Sequence, residues 1–425
     1  MSNLSDRDKK VVWHPFTQMK TAKTPVVIVK AKDTLLFDED GKQYIDINSS
    51  WWVNVHGHGR EEIKEAMSAQ FEQIDHVIFA GATHPKAIEL AERIVEKLPE
   101  NFKKVFFSDN GSTAVEVALK MVIQFWYNQG KEKKKFVALE GAYHGDTFGA
   151  MSIGQRGYFN QPFESYFFDV DYLRFPTEES EDEILKDAEQ FFKNDDVAGL
   201  IVEPLVQGSA GMRIYSARFL DKLVKLAKKH GVLVIFDEVM TGFGRTGKFF
   251  AMDHCQEKPD IACLSKGLTA GVIPLGLTVA TQEIFDAFYA DEPTKALLHG
   301  HSFTGNAIAC AVACASLDVF EQKVTFEHID RISKQQLAFK SDLEETFPFV
   351  DVQVLGTILS VVVNTPGETS YFNSIKLDAV SFFKERGIWL RPLGNVLFFN
   401  PPYCITESEL KHCYETLKEF LSSVK

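Results

Sequence analysis

The sequence predicts an α/β protein: a large domain with a mostly parallel central sheet, and a smaller α+β domain contributed by both termini. Two observations carry this. Between about residues 60 and 330, short apolar runs alternate with segments of helical periodicity, the pattern of a sheet covered by helices on both faces. After about residue 320 the order becomes helix, strand, strand, helix, strand, helix, so there is no longer one covering helix for each strand. A chain of 425 residues also exceeds what one ordinary core holds. No repeat, low-complexity tract or Gly/Ser linker interrupts it, so the domains are expected to be interwoven. The expected division is an N-terminal segment, 1–55, joining the small domain; a large domain, 56–320; and the C-terminal part of the small domain, 321–425.

In chain order, residues 26–47 read as a hairpin: VVIVKA and LLFDEDGKQYIDI, with Glu39-Asp40-Gly41 as a turn. It has no helix of its own, which is why it is assigned to the small domain. KVFFSD, KFVALEG, VAGLIVEPL, GVLVIFDEV and DIACLSK are the strand candidates of the large domain. Among the helices between them, SARFLDKLVKLAKKHG sets Leu220, Leu223 and Leu226 at helical spacing and stops at Gly231. LGTILSVVVN, GIWLRPLG and NVLFFNPP are the later strand candidates.

Lysine and arginine number 46 against 59 acidic residues, a net charge of −13. That balance disfavours a nucleic acid or an anionic membrane as partner and favours a small-molecule ligand. The start, MSNLSDRDKKVVWHPFTQMK, has no apolar stretch of signal-peptide length, and no run approaches a membrane span, so the cytoplasm is the expected location. The cysteines Cys255, Cys263, Cys310, Cys314, Cys404 and Cys413 are scattered, without a paired C-x-x-C, and are expected as buried free thiols.

Asp237 ends the apolar run GVLVIFD, and Lys266 follows the next run, DIACLS. In a parallel sheet both fall on the carboxyl rim, where ligands bind. A lysine amine that can condense with an aldehyde, near a buried carboxylate that keeps a pyridine nitrogen protonated, is what pyridoxal phosphate requires. Most lysines are solvated surface charges. Lys266, between CLS and the glycine-rich GLTAG, is not on a polar helix face. Asn110-Gly111-Ser112 follow a strand and open a helix, offering free N–H groups and a positive dipole end to a phosphate. Ser112 reads equally as an ordinary cap of that helix.

DNGSTAVEVALK, EGAYHGDT, IVEPLVQGSAGM, FDEVMTGFGRTG, LSKGLTAG and HGHSFTGNAIACA occur in this order, and together they resemble the class III aminotransferases of fold type I over nearly the whole chain. The resemblance implies that Lys266 binds the cofactor and moves the proton, that Asp237 pairs with the pyridinium nitrogen, and that Tyr143 stacks on its ring. Gly111 and Ser112 would hold the phosphate. Gly300, His301 and Ser302, in HGHSFTGN, would reach the substrate and cofactor of a second subunit in a homodimer. Ser302 stands where the family has a threonine and keeps the hydroxyl.

WHPFTQM and SSWWVNVHGHG are similar to the branch of the family that aminates 8-amino-7-oxononanoate in biotin synthesis. Neither piece is needed for cofactor chemistry. Trp51 and Trp52 offer apolar faces to a long methylene chain; the alternative, a core aromatic pair, is less common for a doublet flanked by Ser-Ser and a Gly/His turn. Arg391 fits as the carboxylate anchor at the far end, against the alternative of a structural ion pair. Phe16 occupies the position of a tyrosine in members that take nitrogen from S-adenosylmethionine, which makes lysine an alternative donor. An ornithine- or 4-aminobutyrate-type aminotransferase is the nearer rival, and a non-enzymatic protein that has kept the fold the more distant one. Arg245 either faces the substrate or supports its loop, and Glu203 is expected to orient the site. His56-Gly57-His58 and His254-Cys255 lack a third ligand at suitable spacing, so no metal is expected.

Overall fold

The computed structural model describes residues 3–364 and 372–424. Its centre is a seven-stranded sheet. Across the sheet the strands are Phe102–Ser108, Gly276–Thr281, Ile261–Leu264, Leu233–Asp237, Val197–Val202, Lys135–Leu139 and Val170–Leu173. The five strand candidates of the large domain are all present. Val197–Val202, Leu233–Asp237 and Ile261–Leu264 are buried along their whole length, as expected of strands covered on both faces.

Two strands were not among the candidates. Val170–Leu173 is short and only half-buried at the sheet edge. Gly276–Thr281 runs antiparallel to both neighbours. Residues 265–275, which lead into it, are too few for the crossover of a dozen or more residues that a parallel return needs. Because it reverses direction between two neighbours, Phe102–Ser108 again points the same way as Ile261–Leu264 and Leu233–Asp237. Ser108, Leu264 and Asp237 therefore end on one rim.

The helix Gly111–Asn128 crosses one face, burying Val115, Ala118, Val122 and Phe125. Ala217–Lys229 buries Leu220 and Leu223, Leu226 is partly buried against the same core, and the chain then turns through Gly231 at φ 67°.

Ile28–Lys32, Leu35–Asp38 and Gln43–Asp46 form a three-stranded antiparallel meander, one strand more than the expected hairpin, and Gly41 takes the left-handed conformation the second turn requires at φ 82°. Ile388–Trp389 pairs in parallel with Gln43–Asp46, so the two ends of the chain share a four-stranded sheet. Val350–Leu355, Ile358–Val363 and Val396–Phe399 make a separate antiparallel sheet. Here the structure has one strand more than the sequence pattern offered, and GIWLRPLG keeps only two strand residues. Pro392, with no N–H, cannot continue the ladder. The six cysteines are unpaired, five of them buried and Cys404 half-buried. Among the described residues no helix is long and apolar enough to cross a membrane.

Candidate active site

A cavity of about 370 Å³ opens on the rim and is lined by Trp51, Trp52, Gly111, Ser112, Tyr143, His144, Glu203, Asp237 and Lys266, among others. The topology explains the gathering: Asp237 ends one strand, Lys266 follows the next, and Gly111-Ser112 follow the third that points this way.

Lys266 stands at φ 47° with its Nζ 4.6 Å from the centre of the Trp52 ring. Burial pushes its ammonium down from 10.5 to about 8, against the pull of Asp237 and Glu203. A fraction on the order of one fifth is thus neutral, and nucleophilic, near physiological pH. Asp237 is buried; its Oδ2 is 2.7 Å from His144 Nδ1 and its Oδ1 accepts the Val239 N–H at 3.1 Å. His144 Nε2 is buried with no hydrogen-bond partner.

Glu203 accepts the N–H groups of Tyr143, at 3.1 Å, and of Gly208, at 2.9 Å. Burial raises its carboxyl from 4.5 to about 7, with Asp237 adding to the rise. Its carboxylate is tied to the backbone at Tyr143 and Gly208. Tyr143 O–H donates to Asp146 Oδ2 at 3.0 Å, and burial raises the phenol pKa well above its ordinary range.

At the helix start the cap is Asn110, whose Oδ1 accepts the Thr113 N–H at 3.0 Å while the Thr113 hydroxyl accepts the Asn110 N–H. Ser112 lies inside the first turn, so its hydroxyl is not taken up by capping. With the cap satisfied at Thr113, the N–H groups of Gly111 and Ser112 remain as helix-end donors. Opposite them, Gly145 sits at φ +131°, and a Cβ there would lie 2.0 Å from Ser112 Oγ. Gly111, Ser112 and Gly145 line the cavity as an anion cradle, and Gly145 packs so closely on Ser112 that no side chain fits between them. Gly145→Ala is expected to weaken cofactor binding at least about tenfold by displacing the Ser112 hydroxyl, read as the cofactor dissociation constant by absorbance titration. Taken together, an anion cradle, an amine held partly neutral, a buried carboxylate and an orphaned imidazole nitrogen fit pyridoxal phosphate.

Ser49, Ser50, Trp51 and Trp52 form one left-handed turn, with φ of 49°, 45°, 70° and 72°. For residues with a Cβ this costs on the order of 1–2 kcal/mol each, and such strain persists only where surroundings over-determine it. The turn buries Trp52 beside Lys266 and leaves Trp51 at the cavity mouth. There the Arg391 guanidinium lies 4.5 Å from the Trp51 ring centre, and Phe16 packs on its other neighbours at 5.5 Å from Trp51 and 5.9 Å from Phe159. Trp51 also lines a second cavity, of about 540 Å³, together with Arg391 and ten residues between Asp8 and Pro25 of the N-terminal segment. Arg245 is fully buried and donates to the carbonyls of Pro401, at 2.8 Å, and Trp52, at 3.1 Å. Its hydrogen bonds place it under the tryptophan turn rather than in the cavity.

Gly300, His301 and Ser302 do not line this chain's cavity. They belong to a surface segment in which the Ser302 carbonyl meets His76 Nε2 at 2.7 Å. His301 Nδ1 lies 3.0 Å from Asp109 Oδ2 without the alignment of a hydrogen bond. His56 packs on Ser316, His58 on Asp46 and Asn54, and His254 on the Thr246 carbonyl. His144, Asp146 and Gly145 were not singled out from the sequence. GAYHGDT held the signal, since the three residues follow Tyr143 directly.

Residues 16–421 match the model of the class III aminotransferase family. The adenosylmethionine-8-amino-7-oxononanoate aminotransferase of Synechococcus elongatus is 43% identical, over 97% of this chain and 99% of its own. The crystal structure of the enzyme of that name from Methanocaldococcus jannaschii superposes with a TM-score of 0.93 at 36% identity, covering 99% of this chain and 98% of the other. An amine transaminase from an uncultivated Pseudomonas species, crystallised in a PLP-bound form, gives 0.89 at 28% identity, covering 97% and 98%.

Proposed function

Because this chain belongs to the class III aminotransferases, we propose that it transfers an amino group to 8-amino-7-oxononanoate, giving 7,8-diaminononanoate in biotin biosynthesis. It is a pyridoxal-phosphate-dependent aminotransferase. The observation that carries the choice of acceptor is a row of contacts: Lys266 Nζ on the Trp52 ring, then Trp51, which lines both cavities, and Arg391 on the Trp51 ring in the second of them. A methylene chain laid along those indoles gains ~0.8 kcal/mol for each buried CH₂, and a terminal carboxylate meets the guanidinium. The names of the relatives above support the same reading.

Pyridoxal phosphate, when bound, supplies an aldehyde carbon that receives the nitrogen and a ring that accepts electrons. Gly111, Ser112 and the backbone at Gly145 would hold its phosphate, Asp237 its ring nitrogen and Tyr143 its face. Asp237, buried and oriented by His144, would present its carboxylate to a protonated ring nitrogen. Lys266 Nζ, close to half-deprotonated near pH 8, takes the proton from the amine-bearing carbon of the donor. In the second half of the cycle it returns a proton to the carbon of the acceptor that becomes the new amine. Trp52, packed against Phe398 beside Lys266, excludes water from that transfer.

Arg391→Ala is expected to raise the acceptor KM about 10- to 100-fold, the worth of a charged hydrogen-bonded pair. kcat should change far less, and steady-state kinetics separate the two. Formation of 7,8-diaminononanoate from 8-amino-7-oxononanoate, followed by mass spectrometry, tests the acceptor. Preference for ornithine or 4-aminobutyrate instead would overturn it. The donor in this reading is S-adenosylmethionine. Lysine is the second reading, favoured by Phe16, which brings a ring without a hydroxyl against Trp51. A donor screen at fixed acceptor separates them. The working unit is a homodimer in the cytoplasm, with Gly300, His301 and Ser302 completing the partner's site. Their absence from this chain's own cavity and the exposure of Phe303 support that arrangement.

A further inference from the structure

We propose that Asp46 is a positioning residue that sets the acceptor-binding wall by clamping the left-handed turn Ser49–Trp52. The inference rests on the reading of a long-chain acceptor given above. Asp46 is fully buried at the end of its strand. Its Oδ1 accepts the Ser50 N–H at 2.9 Å and its Oδ2 the Ser50 hydroxyl at 2.6 Å. The same Oδ2 is 3.0 Å from His58 Nε2, and His58 Nδ1 is 2.9 Å from Asn54 Nδ2. One carboxylate thus ties the second residue of the strained turn to the chain that leaves it.

The other supports act on either side. Ser49 Oγ donates to the Asn400 carbonyl at 2.7 Å, and Asn48 bridges the Phe398 carbonyl, at 2.8 Å, to the Arg391 N–H, at 2.7 Å. Among the described residues the Ser50 N–H and hydroxyl both bond to Asp46, and Ser50 stands at φ 45°, a left-handed conformation unfavourable for a residue with a Cβ. Without the carboxylate, the Ser50 N–H and hydroxyl lose their acceptor, and the backbone relaxes toward right-handed conformations. Trp51 then leaves Arg391 and Trp52 leaves Lys266. The wall that measures chain length loses its shape, while Lys266, Asp237 and the phosphate cradle stay on the sheet rim.

The test is kinetic, on the holoenzyme, with the acceptor and with analogues shortened by one and two methylenes. In the unmodified protein the acceptor KM should rise about fourfold for each CH₂ removed. In Asp46→Ala the KM for the full-length acceptor should rise about tenfold, by more than kcat falls, and the fourfold step should flatten toward unity. Asp46→Ala combined with Ser50→Gly should recover much of the step, since glycine takes φ > 0 without a Cβ clash. Should Asp46→Ala fold poorly, Ser50→Ala, which deletes only the hydroxyl contact, should flatten the step partway.

An unchanged fourfold step in these variants, an equal loss in kcat and KM, or no recovery with glycine overturns the proposal. If the unmodified enzyme does not aminate this acceptor, that failure belongs to the function reading. The near-ultraviolet circular dichroism of the tryptophans in Asp46→Ala then decides: a changed spectrum supports the clamp, and an unchanged one overturns it.

Discussion

Lys266→Ala should lower turnover by on the order of 10²–10⁴-fold, the contribution of one positioned proton carrier, with the loss of the covalent anchor added to it. The cofactor should still bind, through the Gly111-Ser112 cradle and Asp237, but without the absorbance of the lysine-bound form. Retention of full activity would remove Lys266 from the mechanism. The same lysine has a stability signature in the cofactor-free protein. Its folded-state value of about 8 lies below the ordinary 10.5, so between those limits the unfolded chain binds a proton that the folded chain does not. Stability therefore rises with pH across that window, by up to about 3 kcal/mol, and the contribution is absent at lower pH. Lys266→Met should erase that rise, as read from chemical denaturation at pH 8 and pH 10.

Asp237→Ala should cost about 10²–10³-fold in kcat, the usual size for removing one preorganised charge. It should also destabilise the protein. His144 Nδ1 loses its 2.7 Å partner while Nε2 already has none, leaving a buried imidazole unsatisfied, at about 1–3 kcal/mol. Asp237→Asn separates the two effects: the amide can still meet His144, so most of the stability should return, whereas the charge is gone and activity should stay low. Equal activity in Asp237→Asn and the unmodified enzyme would show that the negative charge is not what the reaction uses. Thermal unfolding and single-turnover kinetics on the two variants supply both readouts.

Much of this site could be read from the chain because its chemistry hangs on local patterns. Apolar runs of strand length ended at Asp237 and just before Lys266, and a strand followed by Asn110-Gly111-Ser112 marked an anion-binding helix start. Such signals depend on near neighbours alone. The strand Gly276–Thr281 escaped the same reading, since its direction follows from the short path 265–275 and from the gap between two strands already in place.

The sequence by itself determined the α/β class and pointed to Asp237 and Lys266 on the parallel rim, with Tyr143 singled out through the family resemblance. Only the tertiary structure decided how the tryptophans are presented. Nothing in Ser-Ser-Trp-Trp favours a left-handed turn, because each residue carries a Cβ and local preference runs the other way. The turn is held by Asp46, by the carbonyls of Asn400 and Phe398, and by Arg245 beneath Trp52. Arg245 shows the same division, since its sequence context left two roles open and its hydrogen bonds to Pro401 and Trp52 put it under the turn. Contacts between segments so far apart in the chain are fixed by folding as a whole, and they override what a four-residue window prefers.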